Sequence, residues 1–223
     1  MGVALSRERV ACVTVPLGPD AHLFAVAEGF GRIDGMPVAH VAVQRLRLAF
    51  ERLRRSRRHA RALAQPESAT ALLAGAIARL NEEIYARAAS HADYVSAGCS
   101  LTAVLAVRRV AIAAHLGATA AYLERDGRTR ALTVPHVVAD LPVRLLTRSL
   151  GTQARAAASI ASFEIDESDT LVLTDSEHHR LIAHSFHRHD LRPVAAQSAS
   201  LPILTPARVG FVIWLALALL CVR

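Results

Sequence analysis

Glu28 and Gly29 close an apolar run of strand length, Leu23-Phe24-Ala25-Val26-Ala27, and Gly31 follows two residues later. A buried strand that stops at an acid and two glycines pushes a carboxylate out of its end and lets the backbone turn with no side chain in the way. Glu28 therefore stands where an active-site acid would stand, and Gly29 can offer its carbonyl to the same ligand. A second concentration of chemistry lies further on. His178, His179, His184, His187 and His189 fall within 12 residues, flanked by Asp175 and Asp190. Imidazole is a common zinc ligand, so a zinc-binding module is conceivable. The stretch from Glu177-His178-His179 to His187-Arg188-His189-Asp190 matches no defined zinc spacing, however, and a polar loop is the plainer reading. A third concentration is basic: Arg45 to Arg61 holds eight arginines and one acid, Glu51. Such a run could meet nucleic acid or an anionic membrane face, or simply be a solvated helix surface. From Arg52 to Arg61 no aromatic interleaves the arginines, so base stacking finds no support and no nucleic acid is expected.

Composition bounds these alternatives. A chain of 223 residues, 52% hydrophobic, is long enough for one domain with a substantial core plus an appendage. All 26 basic residues are arginine, and alanine is abundant. That pattern matches the coding bias of a GC-rich genome, so the net charge of +7 is weak evidence for a polyanionic partner. Cys12, Cys99 and Cys221 lie far apart, which argues against a disulfide framework and fits a reducing compartment. The first residues carry no secretory apolar stretch.

The elements that must position these residues are legible in outline. Val10 to Val15 and His22 to Ala27 read as strands joined at Pro16-Leu17-Gly18-Pro19. Pro37 opens a long helical pattern with Val38, Val41, Leu46, Leu48 and Leu53 apolar. A break at Gln65-Pro66-Glu67-Ser68 precedes a second helix, about Ala69 to Ala89. Short strands follow at Leu101 to Val107, Val110 to His115, Thr119 to Leu123 and Thr129 to Leu132, with a hairpin signal at Asp126-Gly127. A helical piece is expected over Leu141 to Ser149, then strands near Ser159 to Ile165 and Thr170 to Thr174. Strands, two adjacent helices, then more strands favour an α+β fold of antiparallel sheets with helices outside.

In that order the residues match a known family. The chain resembles the metal-dependent serine/threonine protein phosphatases of type 2C, over roughly Arg7 to Ala196. Leu23 to Gly31, with Gly35, Val38 and Ala39, is similar to the family's "LFAVADGMGG" segment. Gly98-Cys99-Ser100-Leu101-Thr102 resembles "GMGTTL". Ala113 to Tyr122 with Arg125-Asp126-Gly127 resembles "VAHVGDSRAYLLRDG", and Leu132 to His136 sits where "LTRDHS" belongs. Leu146 to Gly151 resembles "LTRALG", and Ser168 to Leu173 resembles "GDVLLL". The resemblance implies a four-layer αββα sandwich, two antiparallel sheets flanked by helices. It also implies two Mg or Mn ions at one end, held by carboxylates, with a bridging water that attacks a phosphorylated serine or threonine.

On that resemblance the metal site is depleted. The family's "DG" aspartate is Glu28, one methylene longer. The acids of an N-terminal "NED" segment fall at Glu8 and Arg9, so one is retained and one has become a cation. The "GDSR" aspartate is Ala118. The "SDG" aspartate is Asp175 or Ser176, depending on one gap, and the closing aspartate is Asp190, with only 14 residues between it and Asp175. Glu8, Glu28, Asp175 and Asp190, with the Gly29 carbonyl, form the residual ligand set.

Residues 1–197 are thus expected to form the type 2C-like domain, 198–208 a linker, and 209–222 an apolar segment. That segment runs between Arg208 and Arg223 and contains Phe211 and Trp214. At 1.5 Å per residue it reaches about 21 Å, short of a hydrocarbon core of about 30 Å, yet it is expected to anchor a cytoplasmic domain to a membrane. The expected function is a catalytically impaired phosphatase domain that binds phosphoproteins or a regulatory partner. An attenuated Mg/Mn-dependent phosphatase is the alternative, and the histidine-rich zinc module a second.

Overall fold

The computed structural model describes residues 9–90, 97–138 and 145–178. Strands β1 (Val10–Gly18) and β2 (Ala21–Phe30) form the first hairpin, followed by the two-residue strands β3 (Arg32–Ile33) and β4 (Met36–Pro37). Helices α1 (Val38–Arg55), α2 (Arg57–Leu63) and α3 (Pro66–Ser90) come next. Strands β5 (Gly98–Val107), β6 (Val110–Leu116), β7 (Ala120–Arg125), β8 (Arg128–Ala131), β9 (Ser159–Glu164) and β10 (Thr170–Thr174) complete the described chain. The larger sheet has the order β1-β2-β5-β6-β9 and the smaller β10-β7-β8, antiparallel throughout.

Strand alternation divides the apolar residues between two cores. Leu23, Ala25 and Ala27 of β2 join Leu101, Ala103 and Leu105 of β5 and the buried faces of the helices. The intervening Phe24, Val26, Val104, Ala111 and Ala113 join Leu123, Leu171 and Leu173 of the small sheet. The larger sheet is therefore covered by helices on one face and by the smaller sheet on the other. Buried on both faces, β5 reads as an almost unbroken apolar run.

Several local expectations change. The long helical pattern from Pro37 splits at Ser56, whose extended φ of −87° and ψ of 121° separate α1 from α2. The buried stripe of α1 runs through Val38, Val41, Ala42, Leu46 and Phe50, while Leu48 and Leu53 are only half-buried. Pro66 is the first residue of α3 rather than part of a break, because a first-turn residue has no helical acceptor for its N–H to lose. The helix expected over 141–149 is absent from its described part, residues 145–149. Leu150 instead exchanges backbone hydrogen bonds with Cys99 (2.8 and 3.0 Å), and Leu146 bridges Val137, so sheet-like partners claim this backbone. Among the described residues helices cover only the outer face of the larger sheet.

Candidate functional site

The alternation that splits the cores also builds the site. Glu28 shares the parity of Phe24 and Val26, so its side chain belongs to the gap between the sheets, at the end where β2 leaves the core. Ser100 and Thr102 on β5 have the same facing, in register with Glu28 and Val26, and His115 on β6 pairs with Thr102. The apolar gap thus ends in a polar layer. Gly29 is required there by packing: a Cβ on it would lie 2.7 Å from the backbone nitrogen of Ala39, at the start of α1. Its own N–H donates to the Arg9 carbonyl (2.7 Å), which ties the cation-bearing residue before β1 to the Glu28 end.

From the small sheet, the chain leaving β10 closes over Glu28. The Ser176 N–H donates to Glu28 Oε2 and the Ser176 Oγ–H donates to Oε1, both at 2.9 Å. Both oxygens of the strand-end carboxylate are therefore engaged by one serine. Asp175 is turned to another task. Its Oδ1 accepts the N–H groups of Glu177 (3.0 Å) and His178 (2.8 Å), capping the helical turn that begins at Ser176. The His178 ring Nδ1 lies 2.8 Å from Asp175 Oδ1. Of the two residues that sequence spacing left open at this position, Ser176 is the one that meets Glu28.

Ala118 contributes a buried methyl where the resemblance puts an acid, and its N–H donates to Ser100 Oγ (2.9 Å). Around it runs a polar chain, buried at Thr102, His115 and Thr119 and reaching the surface at Ser159, that sequence reading missed. Thr102 Oγ1 lies 2.9 Å from His115 Nδ1 and 2.8 Å from Thr119 Oγ1, and the His115 ring stacks obliquely on His136 at 4.7 Å. His136 Nδ1 accepts the Gly117 N–H (3.3 Å), leaving Nε2 to donate to Ser159 Oγ at 2.9 Å. Burial, assisted by the positive charge of Arg148, lowers the His136 pKa and favours this neutral ring. Polar residues at alternate positions in otherwise apolar strands were the available signal. Asn81 on α3 was missed as well: it donates to the Gln153 carbonyl (3.0 Å) and accepts from the Gly151 N–H (2.9 Å), fastening the loop before β9.

A pair of divalent cations needs several anionic oxygens converging on one space. The described residues do not fit that requirement. Glu28 is held by an N–H and an O–H, Asp175 caps a helical turn, and Ala118 offers no oxygen. Among the described residues no three His, Cys, Asp or Glu side chains are grouped so as to hold a metal ion. Glu8, Asp190, His179, His184, His187 and His189 lie outside the described residues, as does the segment 209–222. A cavity of about 250 Å³ lies at the other end of the sandwich, where Asp20, His22, Arg108, Arg109 and Asp166 contribute to its walls.

No family model matches the sequence, and no curated protein matches it. Solved structures do match. The serine/threonine phosphatase PstP/Ppp of Mycobacterium tuberculosis superposes with a TM-score of 0.57 at 21% identity, over 75% of this chain and 72% of that one. The serine/threonine phosphatase Stp1 of Staphylococcus aureus gives 0.61 at 17% identity, over 72% of this chain and 67% of that one. The fold is that of the type 2C serine/threonine phosphatases. The catalytic domain of PstP, solved in complex with two manganese ions, matches at 20% identity and a TM-score of 0.57, over 75% of this chain and 70% of that one. A mutant bacterial serine phosphatase matches with only 65% of its length spanned by this chain. On this type 2C frame, the Glu28 end is the end at which the resemblance places the metal ligands.

Proposed function

We propose that the chain is a type 2C-like domain of serine/threonine phosphorylation signalling that engages a phosphorylated or regulatory protein without efficient turnover. The observation that carries the proposal is the closure of Glu28 by Ser176. A carboxylate whose two oxygens already accept an N–H and an O–H would have to surrender both bonds to serve a cation. The amide dipole facing it favours an anion and disfavours a metal. The methyl of Ala118 and the capping role of Asp175 remove two further oxygens from the site. The described residues bring together no convergent set of anionic ligands, and without one neither the lowered pKa of a metal-bound water nor the neutralised phosphoryl charge would be available.

Hydrolysis of p-nitrophenyl phosphate by the purified chain, with and without manganese, tests the reading. Manganese should add no turnover above the metal-free background, while a phosphoserine or phosphothreonine peptide or a partner protein is still bound. Manganese-dependent hydrolysis abolished by both Glu28→Ala and Asp175→Ala would overturn it in favour of an attenuated Mg/Mn-dependent phosphatase.

A further inference from the structure

His136 clasps the turn between β6 and β7 with two bonds. Its ring Nδ1 accepts the Gly117 N–H (3.3 Å), and its own N–H donates to the Gly117 carbonyl (2.7 Å). Beyond the ring, Nε2 donates to Ser159 Oγ at 2.9 Å, which ties the same residue to β9. Residues 133–138 are otherwise lightly held. The segment contains no helix, and Val137 alone forms a sheet-like bridge, to Leu146. Its outer side is apolar yet open to solvent, with Val134 79% exposed and Val138 also exposed. A segment that buries so little of its own surface belongs to the low-stability end of a fold.

The clasp requires a neutral ring. Nδ1 accepts a hydrogen bond only while it carries no proton, and an imidazolium donates from both nitrogens. Protonation would therefore turn an N–H of the ring against the Gly117 N–H. Among the described residues, two titratable or charged groups act on the ring: His115 from β6, at 4.7 Å between ring centres, and Arg148 from the stretch before Leu150. Gly117 and Ser159, which bond it directly, carry no charge. Burial lowers the His136 pKa and Arg148 adds to the effect, so the closed clasp and the neutral ring favour one another.

Gly117 passes the state of the clasp inward. Its φ is +94°, and a Cβ on it would lie 2.3 Å from Ser100 Oγ, so the turn is pressed against Ser100. The next residue, Ala118, donates its N–H to the same oxygen (2.9 Å). Ser100 is the cross-strand partner of Glu28.

We infer that His136 is an acid-sensitive catch: protonation of its ring releases residues 133–138 from the Gly117 turn and loosens the backing of Ser100 beside Glu28, while the two sheets stay packed. The ring returns to its ordinary value of 6.5 once the catch is open, so opening takes up a proton. The open form therefore gains up to about tenfold per pH unit between the closed-state value and 6.5, and gains nothing above that window. The device is independent of turnover at Glu28.

Amide hydrogen exchange of the full chain tests it, read residue by residue by NMR at about pH 7.5 and about pH 5.5 and corrected for intrinsic rates. The Gly117 and His136 amides should lose about threefold to tenfold in protection at the lower pH. At both pH values they should be at least about 100-fold less protected than the amides of β5, as local opening demands. In His136→Asn the side-chain oxygen replaces Nδ1 as acceptor and takes up no proton in this range, so the pH-dependent loss should disappear. Titration of the wild-type His136 ring, followed in the same samples, needs no variant and should have its midpoint below 6.5. An undiminished loss in His136→Asn would overturn the inference. So would a ring midpoint at or above 6.5, or Gly117 and His136 amides as protected as those of β5, which would mean that they open only with global unfolding.

Discussion

At the residue scale, the functional state of the site turns on which atoms face Glu28. A hydrogen bond to a carboxylate contributes about 1.5–3 kcal/mol when buried, and less when the acceptor is partly exposed, as Glu28 is. Ser176→Ala keeps the backbone donor and removes only the hydroxyl, so it should lower stability by about 1–2 kcal/mol in urea unfolding. Manganese should leave the unfolding midpoint of both wild type and variant where it is. A midpoint that rises with manganese in either protein would mean that the carboxylate exchanges its serine for a cation. The two cysteines among the described residues differ for a related reason. Burial raises both thiols, but it pushes Cys99 up to about 12 in the core, whereas Cys12 lies exposed on the edge strand β1. Iodoacetamide at pH 8 should therefore modify Cys12 and spare Cys99 in the folded chain, as peptide mass spectrometry would reveal.

At the element scale, two contacts hold the site's neighbours in place. Gly117 has φ +94°, and a Cβ there would lie 2.3 Å from Ser100 Oγ, the acceptor of the Ala118 N–H. Gly117→Ala combines left-handed strain with a steric clash, and should cost roughly 1–3 kcal/mol. Asn81 joins α3 to the loop leading into β9, with its amide buried. Asn81→Leu leaves the Gly151 N–H and the Gln153 carbonyl without their partner, each at a desolvation cost of about 1–3 kcal/mol. Its unfolding midpoint should fall further than that of Gln153→Ala, whose backbone carbonyl keeps the bond.

At the scale of the whole molecule, charge and proton uptake dominate. Burial lowers the His136 pKa, with Arg148 adding to the effect, and burial also lowers that of His22, partly opposed by Asp20. A histidine whose folded pKa lies below its unfolded value of 6.5 takes up its proton more readily in the unfolded chain. Stability therefore rises with pH through the window beneath 6.5 and is lost as pH falls through it. Denaturant midpoints measured between pH 7 and pH 5 should decline, and His136→Asn should flatten the decline. A steeper decline in the variant would place the responsible proton elsewhere. The net charge of +7 is unevenly spread: Arg52, Arg54, Arg55, Arg57, Arg58 and Arg61, which have no carboxylate partner among the described residues, gather where α1 ends and α2 begins, at the opposite end of α1 from the residue that bonds Gly31.

Local pattern by itself indicated the longer strands and an antiparallel α+β arrangement, because strand-length apolar runs bounded by turn residues are written in consecutive residues, while the short strands β3 and β4 left no such signal and the layered sandwich came from the family resemblance. It also located Glu28, since an acid followed by glycines at the end of a buried strand is written in consecutive residues. The helix ends were less legible: Pro66 begins α3, and sheet-like bridges claim Leu146, through Val137, and Leu150, through Cys99, a partner far away in sequence. Which of Asp175 and Ser176 meets Glu28 could not be read from the chain alone. It depends on how the end of β10 in one sheet approaches the end of β2 in the other, 148 residues apart in sequence. Only the tertiary structure decided it, because hydrogen bonds across two packed sheets leave no periodic trace in either strand.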